Sequence, residues 1–205
     1  AIPFGYASID GALTGPRGGR LDFSDDSFDL SDIAIIPLQM NWSTGKWSFR
    51  LWESIVAPTG GYDASGSDFA NLGRNYWSFD TVGAVTWFNP DSGTEMSIAP
   101  GVMFNTENPD TDYQTGTDFH LDFVANQFLS ETIALGLRGY YYSQLTGDSG
   151  DGAVLGDFKS ESFALGPGLV WTAGRFTVLG KWLHDFSADN RFESDYITLT
   201  VAWTF

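Results

Sequence analysis

The sequence predicts an all-β protein, an antiparallel up-and-down transmembrane β-barrel of about ten strands. Three observations lead there. The last ten residues, YITLTVAWTF from Tyr196 to Phe205, alternate without a break: Ile197, Leu199, Val201, Trp203 and Phe205 share one face, and Thr198, Thr200, Ala202 and Thr204 the other. Aromatic residues make up 16% of the 205-residue chain, yet no run approaches the roughly 20 apolar residues of a membrane helix. Finally, short turns alternate with long connections along the whole chain, as in outer-membrane barrels.

Scoring alternation between turn signals gives ten segments, near 3–13, 32–43, 46–57, 75–88, 94–105, 117–128, 131–145, 160–173, 175–187 and 195–205. Tight turns rich in turn formers join some of them: STGK at Ser43–Lys46, NPDSG at Asn89–Gly93, LSE at Leu129–Glu131 and TAG at Thr172–Gly174. Long connections fall between, at Thr14–Ser31, Pro58–Arg74, Thr106–Gly116, Thr146–Lys159 and Ala188–Ser194. Counting back from a periplasmic C-terminus, the long connections face outward and the N-terminus reaches the periplasm. The chain reads as one domain over 1–205.

Face polarity supports each strand. In 160–173, Phe163, Leu165, Pro167, Leu169 and Trp171 oppose Ser162, Ala164, Gly166, Gly168 and Thr172. Met96, Ile98, Val102 and Phe104 oppose Glu95, Ser97 and Asn105; Phe119, Leu121 and Phe123 oppose Asp118, His120 and Asp122; Phe176, Val178 and Trp182 oppose Thr177, Lys181 and Asp185. Large apolar residues with polar partners suit a lipid-facing wall around a polar lumen. Segment 46–57 is less regular, because Glu53 shares the phase of Trp47, Phe49, Leu51 and Ile55: either a bulge reverses the phase or Glu53 sits near the rim. Aromatics form two belts. Trp42, Trp47, Trp87, Trp171, Phe176 and Trp203 lie beside short turns, and Tyr76, Trp77, Tyr141, Phe186 and Tyr196 near long connections.

Twenty-six acidic residues against ten basic ones give a net charge of −16, which argues against nucleic acid as a partner. The acids concentrate at Asp22–Asp32, Glu107–Asp118 and Asp148–Glu161, read as solvated loops. DTD at Asp110–Asp112 and DSGDG at Asp148–Gly152 carry oxygen ligands without the full spacing of a calcium loop. There are no cysteines and two histidines, so neither a transition-metal site nor another cofactor is expected. The start lacks a charged region followed by an apolar one, and reads as a mature form or a fragment.

The inward set holds Lys46, Arg50, Asp80, Glu95, Asp118, His120, Asp122, Arg138, Lys181 and Asp185. It is either a structural salt-bridge network or a polar constriction. Trp52, Tyr76, Phe88, Tyr140, Tyr142, Leu179 and Leu183 point the same way, as lumen filling or as stacking surfaces. The candidate constriction is Asp80, Glu95, Asp118, His120, Asp122, Arg138, Lys181 and Asp185, with Trp52, Tyr140 and Tyr142 as rings. His120 stands two residues from both Asp118 and Asp122, but no serine sits in a nucleophile motif, so no enzyme is expected.

Longer motifs add a second line. APTGGYD (Ala57–Asp63), NLGRNYWSF (Asn71–Phe79), NTENPDTDYQTG (Asn105–Gly116) and GYYYSQLTGDSGDGAVLGDFK (Gly139–Lys159), with Gly166-Pro167 and Asn190-Arg191, resemble the outer-membrane family named for the meta-pathway of phenol degradation. The resemblance spans Asp32 to the end. It implies a Gram-negative outer-membrane barrel that takes part in uptake of hydrophobic or aromatic compounds, with the lipid bilayer and small solutes as partners. Family members carry additional N-terminal sequence, so the barrel either closes with ten strands or belongs to a parent of twelve or more. The leading expectation is a channel for passive uptake of small hydrophobic or aromatic molecules. The second is a closed structural or partner-binding barrel with functional outer loops.

Overall fold

A computed structural model describes residues 4–14, 20–64, 71–191 and 193–204. Among them eleven strands form, and no helix. They are β1 (Phe4–Thr14), β2 (Arg20–Leu30), β3 (Ile33–Thr44), β4 (Trp47–Ala57), β5 (Ser78–Asn89), β6 (Thr94–Asn105), β7 (Asp118–Phe128), β8 (Ile133–Gln144), β9 (Glu161–Ala173), β10 (Phe176–Asp189) and β11 (Asp195–Trp203). Strands β3 to β11 make one nine-stranded sheet in chain order, and β1 and β2 a separate two-stranded one. Every pairing is antiparallel.

Two expectations change. The acid-rich Asp22–Asp32 segment is not a loop: most of it is β2, paired with β1 from Phe4↔Leu30 to Thr14↔Arg20. Ten strands therefore become eleven, because four aspartates within β2 interrupt its alternation without preventing a backbone ladder. Nor is the sheet closed, since β3 and β11 are its two edges and do not pair with each other. Pro3 and Phe205, assigned to the first and last strands from sequence, lie outside the described residues. Residues 75–77, also read as strand, precede β5, and Asn75 has a φ of 60°.

The strands form because alternating residues find opposite surroundings. On the outer face Met96, Ile98, Phe104, Leu135, Leu137, Leu169, Trp171 and Trp182 are all exposed. On the inner face the buried residues are polar or small: Ser78, Asn105, Asp118, Asn126, Gln144, Ser162 and Asp185, with Val82, Ala134, Ala164 and Leu183. Water-soluble domains rarely expose more than a few hundred Å² of contiguous apolar surface. This sheet turns that rule inside out, as a wall solvated by lipid does.

The sheet curves toward its polar face, which brings non-neighbouring strands into contact. Tyr140 on β8 donates to Asp185 on β10 at 2.6 Å and meets the Tyr196 ring of β11 edge-on, with centroids 6.2 Å apart. Tyr196 thus turns inward rather than joining the outer aromatic belt. At the short-turn end that belt includes stacked Trp42–Phe49 and Phe176–Trp203 pairs, each 5.5 Å apart. At the long-loop end it includes Phe163 with Phe186, at 6.4 Å.

Glu53 keeps the outer phase. The β4–β5 ladder runs unbroken from Trp47↔Trp87 to Val56↔Ser78, and Glu53 accepts a hydrogen bond from its register partner Thr81 at 2.5 Å. The bulge lies instead across the ladder, in β3 between Ile35 and Leu38. Asp32, at the start of β3, receives the backbone N–H groups of Thr59 (3.1 Å), Gly60 (2.9 Å) and Arg74 (2.8 Å), clamping both limbs of the β4–β5 connection. Further along that connection Asp63 and Asn71 bond reciprocally, at 2.8 and 3.1 Å.

Candidate functional site

The long-loop ends of β5 to β8 and the loops above them surround a cavity of about 620 Å³. Strand phase turns Asp80, Met103, Asp118, His120, Asp122, Tyr140 and Tyr142 into it, and the connections contribute Arg74, Tyr76, Thr115, Ser160 and Arg191. Six of the eleven sequence-selected residues therefore meet in one place: Asp80, Asp118, His120, Asp122, Tyr140 and Tyr142. Asp185 borders the group through Tyr140. Glu95, Arg138, Lys181 and Trp52 lie on the same face, farther toward the short turns.

His120 organises one side. Its Nε2 lies 2.9 Å from Asp80 Oδ1, two strands away, and its Nδ1 3.8 Å from Asp122 Oδ2. To reach Asp80 the ring crosses β6 at Gly101, its register partner. A Cβ on Gly101 would collide with the imidazole and crowd Val82, so that glycine is what allows the crossing. With both ring nitrogens turned toward carboxylates, His120 is held as a bridge rather than aimed at a nucleophile.

Asp118 anchors the other side. It accepts from the Tyr142 hydroxyl at 2.5 Å and from Asn105 Nδ2 at 2.9 Å, while Ser78 Oγ donates to Asn105 Oδ1 at 2.7 Å. All four residues are wholly or partly buried, and charge-assisted hydrogen bonds of this kind stabilise a carboxylate away from bulk water. The Arg191 guanidinium stacks over the Tyr142 ring, 4.5 Å from its centroid. Arg74 reaches Met103 Sδ at 3.7 Å. Burial pushes the Tyr76 phenol above its ordinary range, with the neighbouring Arg74 charge opposing the shift.

The acidic loops are not simply solvated. Asp148 accepts from Tyr113 Oη (2.5 Å), Gln144 Nε2 (2.5 Å) and the Gly116 N–H (3.3 Å). Backbone bonds between Gln114 and Ser149, and from Gly152 N to Asp112 O, tie the β6–β7 connection to the β8–β9 connection. Burial, reinforced by Asp148, raises the Tyr113 phenol well above its ordinary value. Among the described residues no three histidine or carboxylate groups converge as a metal site would require.

Of the two readings of the inward set, a network pairing its arginines and lysines with its carboxylates is not found among the described residues. Among the described residues the ion pairs are Arg20–Asp22, Lys46–Asp91 and the contacts of His120 and His184. Arg50 donates instead to Asn41 at 3.0 Å and Arg138 to Asn126 at 3.3 Å. Lys46, assigned to the lumen from sequence, reaches Asn89 and Asp91 at the neighbouring turn. The structure adds Arg74 and Arg191 to the site. Both sit inside motifs quoted above, but their connections carry no phase from which to read direction.

An antiparallel wall, apolar outside and polar inside, with short turns at one end and long connections at the other, has the polarity and connectivity of outer-membrane β-barrel folds. Residues 1–201 match the family described as "Putative MetA-pathway of phenol degradation", and the chain belongs to that family. Among solved structures, the chain is similar to the crystal structure of an outer membrane channel from Pseudomonas putida F1, with a TM-score of 0.76 and 13% identity, over 98% of this chain and 72% of that one. At that identity the likeness concerns the fold. A search of curated protein sequences finds no match.

Proposed function

We propose that this chain forms an outer-membrane channel through which small hydrophobic or aromatic molecules cross passively. The observation that carries the reading is the inverted polarity of the sheet: its exposed large side chains are apolar and its buried ones are largely polar. The long, acid-bearing connections face the exterior and the C-terminus the periplasm. Solute enters among those connections, meets Tyr76, Tyr140 and Tyr142 beside Arg191, and moves along the concave face. Family membership and the shared fold support a channel rather than an enzyme.

Closure follows from the solvent. In a bilayer neither β3 nor β11 can keep an unpaired edge, because each unsatisfied backbone group costs several kcal/mol there. Both strands run from the long-loop end to the short-turn end, so an odd number of strands must fill the seam if every pair is antiparallel. One strand gives ten; the β1–β2 hairpin and one more give twelve, and both counts are even, as in bacterial barrels. Solute flux into liposomes tests the channel. Toluene-like and phenolic solutes should pass faster than sugars, and Tyr140→Ala should change that ratio. Complete impermeability to all of them would leave the second reading, a closed barrel acting through its outer loops, which the Asp148 crosslink between two of those loops favours.

A further inference from the structure

The cations of the concave face stand apart from its carboxylates. Asp118 is engaged by Tyr142 and Asn105, Asp185 by Tyr140 and the Ser194 N–H, and Asp80 by His120. None of them neutralises an arginine or lysine. Arg138 on β8 bonds only an amide, and its Nε is buried without a hydrogen-bond partner. Glu95 acts on it only from beyond ion-pair distance. The Arg138 side chain lies over Gly168 of β9, where an added Cβ would strike it. Gly168 is in turn the register partner of Lys181 on β10, and register partners share a face. Two positive side chains thus flank one glycine at mid-wall, with no ion pair to either among the described residues. Like charges so disposed repel unless an anion joins them.

The geometry points to an anion site at Arg138 and Lys181, and we infer that the solutes of this channel include small aromatic carboxylates. Arg191 over the Tyr142 ring marks the approach at the long-loop end. Arg50, 6.0 Å from the Trp52 ring centroid, continues the path toward the short turns. Each of these pairs a guanidinium, which suits a carboxylate, with a ring, which suits an aromatic body. The transport part of this inference rests on the channel reading; the binding site does not.

The test uses the full chain, with benzoate, neutral benzamide and cationic benzylamine as probes. In liposomes benzoate should pass several-fold faster than either of the others. Arg138→Gln with Lys181→Gln should slow benzoate about tenfold, the scale of one charge-assisted hydrogen bond, and leave benzamide unchanged. Arg138→Lys should retain most of the benzoate rate, and Arg20→Gln, in the β1–β2 hairpin, should alter nothing. Equal passage of benzoate and benzamide, or equal slowing of both by the double variant, overturns the inference. Calorimetric titration of benzoate into detergent-solubilised protein separates the two readings. Binding that the double variant abolishes, without flux, upholds the site and removes the channel; absence of binding removes the site whatever the flux.

Discussion

The two ends of the wall are built differently. At the long-loop end, carboxylates on different elements are tied across strands by tyrosine, asparagine and histidine, and the loops above are bonded to one another. At the short-turn end the turns are tight, with Gly45, Gly93 and Gly174 at φ of 57°, 66° and 60°, and neighbours meet through stacked rings and exposed polar pairs. Long connections supply no local order, so long-range hydrogen bonds must supply it. Turns of two or four residues, as here, fix register locally. The difference predicts that substitutions at one end will matter far more than at the other.

Asp185→Ala should produce the largest loss. It strands the Tyr140 hydroxyl and the Ser194 N–H around a side chain that is 2% exposed, and should lower unfolding free energy in detergent by about 3 kcal/mol. A change below about 0.5 kcal/mol would mean the long-loop network adds no stability. Gly101→Leu should come next, at about 1–3 kcal/mol, because it overpacks the crossing and drives His120 from Asp80. Histidine NMR shifts insensitive to this change would show that the bridge is absent in solution.

Tyr113 offers a smaller, pH-dependent effect. Its phenol is raised in the folded state, so its stabilising contribution is fully present below the ordinary tyrosine value near pH 10 and is lost as pH rises through the folded value. Absorbance titration should find Tyr113 among the tyrosines that ionise late, and Asp148→Asn should bring it earlier. The smallest effect belongs to the short-turn end: Lys46→Gln removes a bond to an aspartate that is 86% exposed and should cost under about 0.5 kcal/mol. A loss matching that of Asp185→Ala would erase the contrast between the ends.

Much of this wall was legible in the sequence, because strand phase is a local property. All ten expected segments begin and end within three residues of strands found, and the inward direction of Asp80, His120, Tyr140 and Tyr142 followed from alternation alone. What failed was reach and partnership. Alternation tells which face a side chain takes, but not that His120 crosses a neighbouring strand or that Arg138 selects an amide over a carboxylate. The β2 strand was hidden because charge density dominates a scan for alternation, whereas pairing depends on the backbone. Arg74 and Arg191 were hidden because a loop has no period.

The clamp at the base of the β4–β5 connection has a practical consequence. Asp32 holds both limbs through backbone amides, and Asp63 and Asn71 close the stem above it. A foreign peptide spliced between residues 64 and 71 would leave every one of those bonds outside the graft. An epitope or affinity tag carried in that connection should therefore leave the register of the wall beneath it unchanged.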